Sequence, residues 1–124
     1  MQGKLEVINS TLNDLRTSVF SSGSAIITKG GLITASDTPP GVQPETFGAM
    51  CATVMGAAEV AVGEFKVPTP EQVIVQSKDA ILVIISIDEK YSLAVMIKRK
   101  IDEKSFPEVL SKIAQAAAKL KEVF

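Results

Sequence analysis

Pro44-Glu45-Thr46-Phe47-Gly48-Ala49-Met50-Cys51-Ala52-Thr53-Val54-Met55-Gly56-Ala57-Ala58-Glu59-Val60-Ala61-Val62-Gly63-Glu64-Phe65 is the stretch of this 124-residue chain whose reading decides the fold. Pro44 suits the first turn of a helix, where its missing N–H has no intrahelical partner to lose, and Glu45 sits favourably near the positive end of the helix dipole. At about 100° per residue, Phe47, Met50, Cys51, Val54, Met55, Ala58, Ala61, Val62 and Phe65 gather on one broad face, expected to pack on a sheet. Gly48, Ala52, Gly56, Glu59 and Gly63 fall opposite, flanked by Ala49 and Val60. Exposed helix faces ordinarily carry Lys, Glu, Gln and Arg, and each interior Gly costs roughly 1 kcal/mol relative to Ala. Close approach of another backbone is the natural reason for such a face. The expectation is a helix pair between two chains. The alternative is a loop or helix of the same chain lying over it.

Upstream, Leu5, Ile8, Leu12, Leu15 and Val19 recur at helical spacing between Gly3 and Val19, which predicts an amphipathic helix with one buried stripe. Ser21-Ser22-Gly23 ends it. Ala25-Ile26-Ile27-Thr28 and Leu32-Ile33-Thr34-Ala35 are short β-rich runs around Lys29-Gly30-Gly31, a hairpin signal because tight primed turns need positive φ that Gly adopts cheaply. Ser36-Asp37-Thr38-Pro39-Pro40-Gly41 is a loop, its prolines excluding a helix interior.

Downstream of Lys66-Val67-Pro68-Thr69-Pro70, three runs read as strands: Gln72–Ser77, Ile81–Ile87 and Ser92–Ile97. The middle run is apolar on both faces, as befits a strand covered by helices on both sides. The short links Lys78-Asp79-Ala80 and Asp88-Glu89-Lys90 make the group an antiparallel meander. Ser105-Phe106-Pro107-Glu108 has the form of a capping box. It opens a terminal helix with Val109, Leu110, Ile113, Ala117, Leu120 and Phe124 on its apolar side.

Composition narrows the function. There is no His and one Cys, which excludes a Ser-His-Asp or Cys-His nucleophile system, a His-ligated zinc, an internal disulfide and a cysteine-ligated cluster within one chain. Thirteen Lys and Arg against 14 Asp and Glu give a net charge of −1, unlike a strongly nucleic-acid-binding or membrane-surface protein. Yet 46% of residues are hydrophobic and the mean hydropathy is +0.26, so part of this apolar mass is expected to be buried against another chain. Met1–Val7 lacks the apolar core of a signal peptide, and the charge-free run Thr46–Ala58 is short for a bilayer span. With an unpaired Cys51, a cytoplasmic location is expected, without membrane insertion.

The order helix, hairpin, long helix, three-stranded meander, helix defines an α+β sandwich over residues 1–124, read as a single domain. It resembles the roadblock family, of the dynein light-chain and bacterial or archaeal GTPase-regulator type. The resemblance rests on Ala25-Ile26-Ile27-Thr28-Lys29-Gly30-Gly31-Leu32-Ile33-Thr34-Ala35-Ser36, similar to the family's strand, Asp-Gly-Leu, strand ending Ala-Ser. It rests equally on Phe47–Glu59, similar to the family's Ala-Met, small residues, Ala-Ala-Glu helix. Gly30 stands where the family often has Asp, and Pro39-Pro40-Gly41 is individual to this chain.

The resemblance implies a five-stranded, mostly antiparallel sheet with helices on both faces, in the order α-β-β-α-β-β-β-α. It implies a homodimer, or a heterodimer with a paralogue, in which the long helices pair and the first meander strands meet edge to edge. It also implies binding to a small Ras-like GTPase, with hydrolysis modulated by positioning the GTPase's own residues. The alternative is a non-catalytic scaffold subunit of a motor or signalling assembly. Combining this with the small-residue face places the dimer interface at Gly48, Ala52, Met55, Gly56, Glu59, Gly63, Val73, Ile74 and Val75. An exposed Val-Ile-Val edge would otherwise invite aggregation.

Other chemistry finds little support. No GxxxxGK[ST] or GxGxxG pattern is present, and Lys29-Gly30-Gly31 leads into a strand, not a helix N-terminus. Asp88-Glu89 and Asp102-Glu103 lack EF-hand spacing. Cys51 is read as a buried inert thiol, and Met50, Met55 and Met96 as core fillers. Lys98-Arg99-Lys100 is short and has no interleaved aromatics, so no nucleic acid is expected. No cofactor, metal or catalytic residue is assigned.

Overall fold

The computed structural model describes residues 3–124, so Met1 and Gln2 of the stretch read against a signal peptide lie outside the described residues. The elements run α1 (Lys4–Ser18), β1 (Gly23–Thr28), β2 (Ile33–Asp37), α2 (Pro44–Gly63), β3 (Gln72–Gln76), β4 (Ile81–Ser86), β5 (Tyr91–Ile97) and α3 (Phe106–Lys121). The strands form one sheet in the order β2-β1-β5-β4-β3, every neighbouring pair antiparallel. Pairing of β1 with β5 joins the N-terminal hairpin to the meander and leaves β2 and β3 as the two edges.

Strand alternation divides the core into two layers. Ile26, Val83, Leu93, Val95 and Ile97 point to the side covered by α1 and α3, where they meet Ile8, Leu12, Leu15, Ile113 and Leu120. Ala25, Ile27, Ile84 and Ala94 point to the other side, under Cys51 and Met55 of α2. The buried stripe of α1 is turned toward Thr11 and away from Leu5, which is exposed, contrary to the periodicity expectation. Burying Thr11 is tolerated because its hydroxyl donates to Val7 O at 2.6 Å.

Two local expectations are corrected. Of the Gly30–Gly31 pair only Gly31 has positive φ (92°), so the hairpin does not close on a tight primed turn. Gly31 N–H instead donates to Thr28 O at 2.9 Å, and the register slips so that Ala35 faces Ile26 while Ile33 faces Ile27. The slip is a bulge that accommodates the longer turn. At α3, Ser105 has helical φ and ψ and makes no side-chain cap. Asp102 performs that role: its Oδ1 accepts Ser105 N–H at 2.8 Å, while its backbone O accepts Phe106 N–H at 3.2 Å. Hydrogen bonding from Ser105, its backbone N–H foremost and its hydroxyl next, holds the Asp102 carboxyl below the usual aspartate range.

Candidate protein-binding interface

The candidate interface is built from α2 and the β3 edge. α2 crosses the sheet from the hairpin, where Gly48 lies over Ile27 and Ile33, toward β3, against which it also packs. Its inward arc is Phe47, Gly48, Cys51, Ala52, Val54, Met55, Ala58 and Val62, buried or half-buried. A Cβ on Gly48 would stand 2.6 Å from Ile33 Cδ1 and 3.0 Å from Ile27 Cγ2, so a larger residue there requires these side chains to give way. Gly31 approaches from the hairpin so closely that a Cβ on it would lie 3.0 Å from Ala49 Cα and 3.4 Å from Ala52 Cβ. Burial pushes the Cys51 thiol up to about 11.

This rotates the helix relative to the sequence expectation. Gly48, Ala52 and Met55 serve the chain's own sheet and hairpin, so that part of the small-residue face is covered within the chain, by strands and the hairpin turn and not by the overlying loop or helix of the alternative. Met55, 4% exposed, has no surface left to offer a partner. Conversely Met50 (56% exposed) and Phe65 (82%), assigned to the sheet-facing side and Met50 to the core, stand outside. The physical reason is that α2 is apolar nearly all round, so its wheel carries little contrast, and the facing is set by the shape of the sheet beneath.

The outward arc is Met50, Thr53, Ala57, Val60 and Ala61, with Gly56 beside it and Gly63 at the end of the helix. Apart from the flanking residues and the helix's own backbone, no heavy atom among the described residues lies within 4 Å of a Cβ built on Gly56 or Gly63. Glu59 is half-buried and lines an open hollow with Lys29, Glu71 and Lys90. Beyond it, β3 shows Val73 half-buried and Ile74 and Val75 exposed. Sequence reasoning set Val60 at the flank of the outward face and missed Met50 there; the signal that could have found it is the absence of any basic residue in α2.

The two sheet edges differ. β2 carries the bulge, and its terminal Asp37 accepts two hydrogen bonds from the Arg16 guanidinium of α1, so that edge is blunted in the usual ways. β3 pairs with β4 without a register shift, and Gln72 and Gln76 bracket Val-Ile-Val without a charge or proline. By length and composition alone the whole of α2, 20 residues, is long and apolar enough to cross a bilayer, because it extends beyond the charge-free run Thr46–Ala58 at both ends. Arg99 stacks on the Phe20 ring at 4.3 Å, which places part of the basic run against an aromatic of the chain itself. Among the described residues no three His, Cys, Asp or Glu side chains converge as a metal site would need.

An α2-covered antiparallel sheet with one unguarded edge defines the class: a roadblock-type α+β domain. Residues 13–97 match the family model of the Roadblock/LC7 domain, and the chain belongs to that family. It is 33% identical over 72 residues to the uncharacterized protein MJ0310 of Methanocaldococcus jannaschii, and likewise to MJ1340 of the same organism. Those matches cover 58% of this chain and 63% of each relative, so the chain spans less than two thirds of their length. Among solved structures it is similar to Myxococcus xanthus MglB (TM-score 0.85, 14% identity, 94% of both chains). It is also similar to the gliding protein MglB of Thermus thermophilus (TM-score 0.83, 12% identity, 99% of this chain and 92% of that one). A roadblock/LC7 domain from Streptomyces avermitilis follows (TM-score 0.73, 14% identity, 82% and 83% of the two chains). At these identities the likeness is one of fold.

Proposed function

We propose that residues 1–124 act as one non-catalytic roadblock unit, a dimeric regulator or adaptor that binds a small Ras-like GTPase and modulates its hydrolysis or placement. The observation that carries this reading is the continuity of an outward, Lys- and Arg-free α2 face with an uncovered, uncharged β3 edge. A second copy satisfies both at once: α2 packs on α2, while β3 pairs with β3 into one continuous sheet. The interface is proposed at Met50, Gly56, Glu59, Val60, Gly63, Val73, Ile74 and Val75, without Gly48, Ala52 and Met55.

A lipid surface suits the patch poorly, because the free N–H and C=O groups along β3 would find no partner in hydrocarbon. The GTPase part of this reading is what the family resemblance implies, and membership of the Roadblock/LC7 family supports it. The assembly part has support in the fold likeness to proteins named MglB, one of which is described with a tetrameric arrangement.

The test is sedimentation of the wild type and of Gly56→Leu, with nucleotide-loaded GTPases of the same genome as binding partners. The substitution adds a side chain where no atom stands within 4 Å, so the monomer keeps its fold. Wedged between two helices, it should raise the dimer Kd about tenfold or more. An unchanged Kd refutes the helix pair. A dimer that binds no GTPase and leaves hydrolysis unaltered refutes the regulatory reading and points to the scaffold alternative.

A further inference from the structure

α2 leaves part of its sheet face bare. The cross-strand row Gly23–Met96–Leu82–Val75 opens into a largely apolar cavity of about 610 Å³, walled by Phe47 and by Val42 on the loop after Pro39-Pro40. Nothing among the described residues fills it. The opposite end of α2 carries a knob with no socket: Phe65 is 82% exposed. It is held on a rigid turn, because Lys66 N–H donates to Gly63 O at 2.9 Å and Val67 N–H to Val62 O at 3.3 Å, with Lys66 at φ 58°. This is the hydrogen-bond pattern of a Schellman cap, built here on a non-glycine residue.

We propose that in the dimer Phe65 of each chain fills this cavity of the other. The inference rests on the dimer reading above and follows from its symmetry. Antiparallel pairing of two β3 strands about a two-fold axis sets the Gln72 end of one beside the Gln76 end of the other. Glu59 lines a hollow with Glu71, next to Gln72, so the C-terminal half of α2 lies at the Gln72 end of the β3 edge, which the two-fold sets beside the partner's Gln76 end. The partner's Phe65 therefore arrives near Val75 and Leu82, at the mouth of the cavity. Each cavity is incomplete without the second copy, and each Phe65 is uncovered without it.

The chain has no Trp, so Phe65→Trp introduces a single reporter. Raising the concentration through the dimer Kd should blue-shift its emission and shield it from acrylamide. Phe65→Ala should raise the Kd about 10- to 100-fold, the loss expected for an aromatic side chain withdrawn from an apolar site. It should not alter the melting of the dilute chain, because Phe65 makes no core contact there. Val42→Glu, on the cavity wall, should weaken the dimer likewise, and the double variant should be little worse than either single one. If the wild type stays monomeric at micromolar concentration, the dimer reading falls and takes this inference with it. If the wild type dimerises and Gly56→Leu disrupts it while Phe65→Ala leaves the Kd unchanged, only the Phe65 clasp is refuted.

Discussion

Gly48 and Gly56 lie eight residues apart in α2, and alanine at each should have opposite effects. In an ideal helix interior, Gly→Ala stabilises by roughly 1 kcal/mol. At Gly56 nothing stands within 4 Å of the new methyl, so the monomer should gain about that amount. At Gly48 the methyl would meet Ile33 Cδ1 at 2.6 Å and Ile27 Cγ2 at 3.0 Å. The Ile33 terminus can swing aside, but Ile27 is 1% exposed and its γ-methyl is fixed by β-branching. Overpacking of this kind costs about 1–3 kcal/mol, so Gly48→Ala should range from neutral to about 2 kcal/mol destabilising. The two variants should therefore differ by about 1–3 kcal/mol, or roughly 3–5 °C in Tm per kcal/mol for a chain of this size. Urea unfolding followed by circular dichroism across a concentration series separates this from any effect on association. If Gly48→Ala stabilises as much as Gly56→Ala, α2 does not lie on the sheet as described.

Further outcomes follow from the titrating groups. Cys51 should resist thiol reagents in the native state near pH 8 and react at once on unfolding, because burial holds its thiol protonated up to about 11. Since that value lies above the unfolded one, its contribution is complete below the ordinary thiol range and is lost as pH rises toward 11. Rapid native labelling at pH 8 would contradict this. Asp102→Ala should speed amide exchange at Ser105 and Phe106, whereas Ser105→Ala should disturb the cap less, because the acceptor that holds the turn belongs to Asp102. With the Asp102 carboxyl depressed in the fold, its contribution is present above the ordinary aspartate range and fades as pH falls through the native value. Equal exchange in the two variants would refute the assignment of the cap.

Legibility followed the range of the forces involved. The hairpin around Lys29-Gly30-Gly31, the meander and the three helices were readable because periodicity and turn chemistry act within a few residues. The Asp102 cap was not, since Ser105-x-x-Glu108 offers the same pattern and only backbone geometry at Ser105 separates them. Val73-Ile74-Val75 reads as an exposed apolar edge, and Ile74 and Val75 are exposed. Which of Gly48 and Met50 faces outward on α2 was not legible. A helix with apolar residues on almost every side gives a wheel no direction to prefer.

The order of elements, the Lys- and Arg-free α2, the lack of imidazole chemistry and the family motifs belong to the chain by itself, because they are local or compositional. Tertiary structure alone decided that β1 pairs with β5, that β3 is left as the unguarded edge, and which side of α2 turns inward. Those depend on contacts between residues far apart in the chain. Ile27 and Ile33 rise beneath α2 and crowd the site where a side chain at Gly48 would stand. That shape turned Met50 and Val60 outward, toward the face where a partner is proposed.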